Sequence, residues 1–138
     1  MDDKQKITLE NAIGAVKDFH EAFGIENAET ITGDPERTEF ELRYNLMKEE
    51  NEEYLNAARE GDIVEIADAL GDMLYILCGT ILKHGLEDKI GTVFKEIQES
   101  NMSKLGADGN PIYREDGKVL KGPDYFRPDI KAILELKS

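Results

Sequence analysis

The sequence predicts an all-α fold: a helical bundle followed by a loop-rich tail. Three observations carry this. Apolar residues recur at helical spacing in four successive stretches. Glycines mark the joints between them. From Gly106 to Pro128 the chain becomes rich in breakers, with Gly106, Gly109, Pro111, Gly117, Gly122 and Pro123.

Leu9, Ile13, Val16, Phe19 and Phe23 keep helical spacing, which predicts a first helix from about Thr8 to Phe23, ended by Gly24. Residues Glu29 to Pro35 read as a loop. A second helix is predicted from about Arg37 to Ala58, with Phe40, Tyr44, Met47, Tyr54 and Ala58 on one face, and Gly61 breaks it. The third follows almost at once and stops near His84-Gly85. Its apolar stripe, expected to be buried, is Ile63, Ile66, Ala67, Leu70, Leu74, Leu77 and Ile81. A fourth helix takes Leu86 to about Met102, with Ile90, Val93, Phe94 and Ile97 expected inside. In the tail, Asp116-Gly117 between Pro111-Ile112-Tyr113 and Val119-Leu120 predicts a short hairpin. Pro128 is placed to open a last helix through Leu136. All of this reads as one domain over residues 1–138.

The 138 residues carry 17 Lys plus Arg against 30 Asp plus Glu, a net charge of -13. Such a chain is a poor partner for nucleic acid or an anionic membrane. A phosphorylated substrate remains open, but it would have to arrive with divalent cations. The single cysteine, Cys78, lies in an apolar helical stretch, which points to a reducing compartment. The first residues, Met1-Asp2-Asp3-Lys4-Gln5-Lys6, lack the apolar core of a signal peptide. The expectation is a soluble, cytoplasmic protein.

The acidic residues of the second and third helices are placed, not merely numerous. Glu50 and Glu53 are an i,i+3 pair and share a face, with Glu52 pointing away from them. Glu65, Asp68 and Asp72 fall within a narrow arc of the third helix, opposite Ile63, Leu70 and Leu77. That arc continues as Tyr75, Ile76 and Gly79, which is not a solvent face, so the third helix is expected to be covered on both sides. A short turn near Glu60-Gly61 makes the two helices antiparallel neighbours, level where residue numbers sum to roughly 122. Glu50 then stands opposite Asp72, and Glu53 beside Asp68. Carboxylates that close need cations between them, and oxygen-rich sites suit magnesium or manganese. The plain alternative is a solvated acidic face.

Glu49-Glu50-x-x-Glu53 followed by an acidic third helix resembles the EExxE…ExxD signature of the all-α nucleoside triphosphate pyrophosphohydrolases. This superfamily includes MazG-like four-helix enzymes, dimeric dUTPases, dCTP pyrophosphatases and phosphoribosyl-ATP pyrophosphohydrolase. The segment Gly71-Asp72-Met73-Leu74-Tyr75-Ile76-Leu77 is similar to the family's run around its last acidic ligand. There is one departure: the glutamate expected three residues before Asp72 is Ala69 here, with Asp68 next to it. Reading Glu65-Ile66-Ala67-Asp68 as ExxD is the alternative, which the register places second. The resemblance implies a magnesium-dependent (or manganese-dependent) hydrolase that converts a nucleoside triphosphate to a monophosphate and pyrophosphate. Glu50, Glu53, Asp68 and Asp72 would hold the metal, and Glu49 would be the general base. It also implies a homodimer or homotetramer.

The tail segments Ser100-Asn101-Met102-Ser103-Lys104 and Asp116-Gly117-Lys118-Val119-Leu120-Lys121-Gly122-Pro123 are similar to segments that follow the core in a subgroup of these enzymes. On that footing Asn101, Lys104, Lys118 and Lys121 are candidate substrate contacts, with ordinary surface lysines and a helix-ending asparagine as the alternatives. His20 shares a face with Val16 and Phe23 and reads as a structural histidine. His84 suits a helix C-terminus. No nucleophilic triad or phosphate-binding glycine loop is present. Two rivals remain: phosphoribosyl-ATP pyrophosphohydrolase itself, and a non-catalytic acidic interaction protein.

Overall fold

Only Gly61 and Asp62 separate α2 (Phe40–Glu60) from α3 (Ile63–Lys83). Gly61 takes a left-handed conformation, φ 67°, and its amide caps the α2 carbonyls of Ala57 and Ala58. Asp62 then starts α3 by accepting the Glu65 amide at 3.2 Å. Two residues cannot carry the chain anywhere but back along the helix it has left, so α2 and α3 run antiparallel. Side-chain pairs fix the register: Glu39 meets Lys83 and Arg43 meets Thr80. These numbers sum to 122 and 123, as the turn predicts.

The computed structural model describes residues 6–135, and the chain forms two compact units, Met1–Glu87 and Asp88–Ser138. In the first unit α1 (Leu9–Ala22) also packs on α3. Thr8 caps α1 by accepting the Asn11 amide at 3.1 Å. The core gathers Ile13 and Val16 of α1, Ala57 of α2, and Ala69, Cys78, Ile81 and Leu82 of α3. The loop from α1 to α2 is tied to the end of α3: Ala28 donates to the Leu82 carbonyl, Thr32 to that of His84, and His84 Nδ1 meets the Thr32 carbonyl at 2.9 Å. Lys83, 3% exposed, donates to the Glu26 carbonyl at 2.6 Å and to Glu39 Oε1 at 2.9 Å. Glu39 precedes α2 with φ 50°, a rare conformation for a non-glycine residue that the buried Lys83 ammonium helps to hold.

In the second unit α4 (Ile90–Met102) packs on α5 (Ile130–Glu135). The hairpin β1 (Ile112–Tyr113) and β2 (Val119–Leu120) pairs Ile112 with Leu120 around Gly117, φ 87°. Buried Ser100 donates to the Phe126 carbonyl at 2.8 Å, and Asp129 accepts the Ala132 amide to start α5. Among the described residues no helix is long and apolar enough to cross a membrane.

The all-α class, the hairpin, the inward Ile13 and Val16 of α1 and the covered Ile76–Gly79 side of α3 are as expected; the apolar stripes expected inside α2, α3 and α4 are not. The inward face of α3 is the one bearing Ala69, Ile76 and Gly79, while the stripe is largely open: Ile63 is 71% exposed, Leu74 52%. The chain covers α3 on one side because α1 and α2 both dock on its small-residue face, where backbones approach closely. Similarly α2 turns Arg43, Leu46, Glu50 and Ala57 inward and leaves Phe40, Tyr44 and Tyr54 open. Its start shifts from Arg37 to Phe40 because Glu39 breaks helical φ. The segment from Leu86 to Lys89 forms turns, so α4 begins at Ile90, and Phe94 and Ile97 are exposed. Asp129, not Pro128, caps the last helix. Leu136 and the N-terminal residues 1–5 lie outside the described residues.

Two glycines separate backbone strain from crowding. Gly61 (φ 67°) has open space where a Cβ would stand, whereas at Gly85 (φ 69°) a Cβ would lie 2.5 Å from the Thr30 carbonyl oxygen. Urea unfolding is expected to show about 1–2 kcal/mol lost in Gly61→Ala and a larger loss in Gly85→Ala. Equal losses would mean that the loop is not pinned to the end of α3.

Candidate active site

The inner face of α2 descends through Ala57, Glu53, Glu50, Leu46, Arg43 and Glu39. That of α3 runs beside it through Asp68, Asp72, Ile76, Gly79 and Lys83. Antiparallel pairing therefore sorts the groove between them by charge, carboxylates toward the tight turn and cations away from it.

Glu50 is the centre of the acidic part. It lies half-buried on α2, and its pKa is pushed up to about 7. Burial is the largest cause, followed by a hydrogen bond and charge repulsion from Glu53, then the charges of Asp72 and Asp68. Its Oε2 atom is sealed from solvent and has no hydrogen-bond partner among the described residues. The hydrogen bond between the Glu50 and Glu53 carboxyls exists only while one of the two carries the proton. The sequence-derived quartet Glu50, Glu53, Asp68 and Asp72 is thus electrostatically one cluster. Glu65, in the first turn of α3, is not among the charges that reach Glu50. Glu49 is exposed beside the cluster.

Among the described residues no three acids, histidines or cysteines converge into a closed metal cage. The donor set nevertheless fits a hard divalent cation: all oxygen, excess negative charge, and one orphaned buried oxygen. Magnesium needs no full cage, since it keeps waters and takes one or two carboxylates together with substrate phosphates.

One turn along both helices, about 6 Å, lies a cavity of about 600 Å³ lined by Val16, Phe19, His20, Arg43, Tyr75 and Ile76, among others. Phe19 and Tyr75 meet edge to face, centroids 5.7 Å apart. Arg43 Nε donates to Thr80 Oγ1 at 3.0 Å and Nη2 to the Ile76 carbonyl at 2.9 Å. Burial pulls its pKa below the usual range, against the opposing charge of Glu39. His20 is 2% exposed and its Nδ1 lies 2.6 Å from Asn27 Oδ1. It is structural as expected, but it also faces the cavity. Arg43 and Lys83 were not singled out in the sequence, and Gly79 was read only as part of the covered face of the third helix. The signal for them was the register, since Arg43 lies two turns from Glu50 on the same face.

The four tail candidates belong to the second unit. Asn101, Lys118 and Lys121 are exposed and Lys104 half-buried. Lys121 Nζ stands 4.8 Å from the Tyr125 ring centre. Lys118 sits in the hairpin, its amide held by Asp116.

The sequence profile of phosphoribosyl-ATP pyrophosphohydrolase matches residues 16–101, the segment that holds the carboxylate cluster and the cavity. The chain belongs to the phosphoribosyl-ATP pyrophosphohydrolase family. It is accordingly a hydrolase of pyrophosphate bonds in the all-α nucleoside triphosphate pyrophosphohydrolase superfamily, and the non-catalytic reading is set aside. A solved structure from Exiguobacterium sp. 255-15, described as a candidate NTP pyrophosphohydrolase, is 28% identical over 91% of this chain and 92% of its own, with a TM-score of 0.45. No curated protein sequence matches the chain.

The raised pKa of Glu50 has a signed consequence. The group's stabilising contribution is complete below its unfolded value of 4.5 and is lost as pH rises through about 7. Metal-free protein should therefore lose melting temperature across this window. The advantage of Glu50→Gln over wild type should grow toward the upper end. A difference that stays constant with pH would show that the four carboxylates do not repel one another.

Proposed function

We propose that this enzyme is a magnesium-dependent nucleoside triphosphate pyrophosphohydrolase, cleaving between the α- and β-phosphates to give a nucleoside monophosphate and pyrophosphate. The observation that carries this reading is the carboxylate cluster around the orphaned oxygen of Glu50, one helical turn from the cavity edge at Leu46 and Ile76. Glu50, Glu53, Asp68 and Asp72 would hold the cation, with manganese as a substitute. Bound there, the ion would offset the negative charge of the triphosphate and hold its oxygens for in-line attack. Glu49 takes a proton from the attacking water. Water adds to the phosphorus, and pyrophosphate departs with the bridging oxygen. Asn101, Lys104, Lys118 and Lys121 contact the substrate.

The second reading, hydrolysis of phosphoribosyl-ATP, is favoured by the family's own name. It needs the same cluster and the same bond, and differs in what the rest of the site accepts. The open stripe of α3, with Ile63, Leu70, Leu74 and Leu77 at i, i+7, i+11 and i+14, supports assembly into a homodimer or homotetramer, because an apolar ridge that long is seldom left wet. The protein is placed in the cytoplasm, with no nucleic acid or membrane partner.

Pyrophosphate release from a panel of ribo- and deoxyribonucleoside triphosphates and phosphoribosyl-ATP, with and without magnesium, tests the reading. Glu49→Gln should lower kcat by about 10²–10⁴-fold while retaining the rise in melting temperature on adding magnesium. Glu53→Gln and Asp72→Asn should lose both. Wild-type activity and metal response in Glu53→Gln would overturn the ligand assignment. Turnover of phosphoribosyl-ATP alone would install the second reading. For the assembly, Leu74→Glu should shift the sedimentation of the protein toward the monomer; a wild type that is already monomeric removes that part of the proposal.

A further inference from the structure

The cavity beyond the carboxylates holds two polar groups that the fold does not use up. His20 is buried in α1, and with Asn27 Oδ1 as its Nδ1 partner, Nδ1 carries the proton. That leaves Nε2 as an acceptor, and it has no hydrogen-bond partner among the described residues. Arg43 uses Nε and Nη2 on α3, while Nη1 has no partner among them, so the guanidinium keeps spare donors. Both groups close on the same point. A Cβ on Gly79 would lie 2.5 Å from Arg43 Nη2 and 3.1 Å from His20 Nε2. Gly79 is thus the gap in α3 that allows a lone acceptor and a cationic donor to stand side by side at the cavity wall.

We infer that this cavity binds the base of the nucleotide, and that Arg43 and His20 read its edge, favouring bases that present a carbonyl oxygen next to a ring N–H. The ring N–H donates to His20 Nε2 and the carbonyl oxygen accepts from Arg43. Uracil, thymine, guanine and hypoxanthine have this edge. Adenine and cytosine carry the reverse order, an exocyclic amino group beside a ring acceptor, and bring that amino group toward a cation that can only donate. Phe19 and Tyr75 supply aromatic surface for the base at the side nearer the carboxylates. The spacing agrees: one helical turn, about 6 Å, separates the cavity edge at Leu46 and Ile76 from Glu50 and Asp72, which leaves room for a sugar between base and phosphate. A volume of about 600 Å³ lies within the usual range for small-ligand sites. A buried site built to hydrogen-bond one edge discriminates strongly, because the wrong edge leaves its polar groups unpaired.

This inference rests on the nucleotide-hydrolase reading for its orientation, but it can be tested without catalysis. Calorimetric titration of the metal-free protein with uridine, inosine, cytidine and adenosine needs neither phosphate nor cation. Uridine and inosine should bind at least 10-fold tighter than cytidine and adenosine. Gly79→Ala is the informative variant, since alanine suits a helix and its methyl would stand 2.5 Å from Arg43 Nη2 and 3.1 Å from His20 Nε2, closing the gap and pushing the guanidinium from the Ile76 carbonyl. It should fold with a lowered melting temperature, because Arg43 loses its hold on α3, and should lose that preference. Arg43→Lys, which retains the charge but not the fork, should do the same, and in turnover both should raise KM for the keto-base triphosphates at least 10-fold with kcat within about threefold. Nucleoside binding with this preference, but no turnover of any triphosphate, would keep the inference and remove the hydrolase reading. Turnover with KM and base preference unchanged in both folded variants would overturn the inference, as would equal binding of all four nucleosides.

Discussion

The close antiparallel pairing of α2 and α3 is the constraint on which everything else in the first unit depends. It is enforced by two residues: Gly61 adopts the left-handed conformation that ends α2, and Asp62 caps α3. With the link so short, the helices have one register available, and that register puts Glu50 within reach of the charges of Glu53, Asp72 and Asp68. Nothing in the local preferences of either helix favours this. Acidic residues meet because the turn leaves them nowhere else to go and because the neighbouring positions, Ala57 and Ala69, are small enough to let the helices approach.

Farther from the turn the same register has the opposite electrostatic character. Glu39 meets Lys83, and Arg43 reaches across to Thr80 and the Ile76 carbonyl. These contacts fasten α2 to α3 at the end where the turn no longer holds them, and the Lys83 bond to Glu26 ties in the loop from α1. A buried lysine or arginine is expensive unless its hydrogen bonds are satisfied. Here the ammonium of Lys83 has a carbonyl and a carboxylate. Repulsion near the turn and attraction at the far end are held in balance by one rigid pair of helices.

That balance ties stability to function. Under the proposed function, a site that accepts a divalent cation and a polyanion cannot also satisfy its carboxylates internally, so part of the fold's stability is given up at Glu50. The fold tolerates this because the load is concentrated on one partly buried group whose proton can come and go. His84 at the end of α3, which meets the Thr32 carbonyl of the loop, and Asp129, which caps α5, have by contrast their partners in place.

Helix number, the joints at Gly24, Gly61 and Gly85, the hairpin around Asp116-Gly117 and the pairing of Glu50 with the third-helix acids were all legible in the sequence. Each follows from local rules: periodicity within a helix, the conformational freedom of glycine, and the arithmetic of a short turn. That the apolar stripes of α2 and α3 stay open was not legible. Leu70, Leu74 and Leu77 make the more hydrophobic stripe of α3, yet the side with Ala69, Ile76 and Gly79 is the one that α1 and α2 cover. Hydropathy marks the faces that leave water somewhere, including in contacts a single chain does not make. The faces that pack within the chain are chosen by how closely backbones can approach. His20, Arg43 and Gly79 are far apart in sequence, and each alone is unremarkable. Only the docking of three helices brings an unpaired acceptor and a spare donor to the same wall of one cavity.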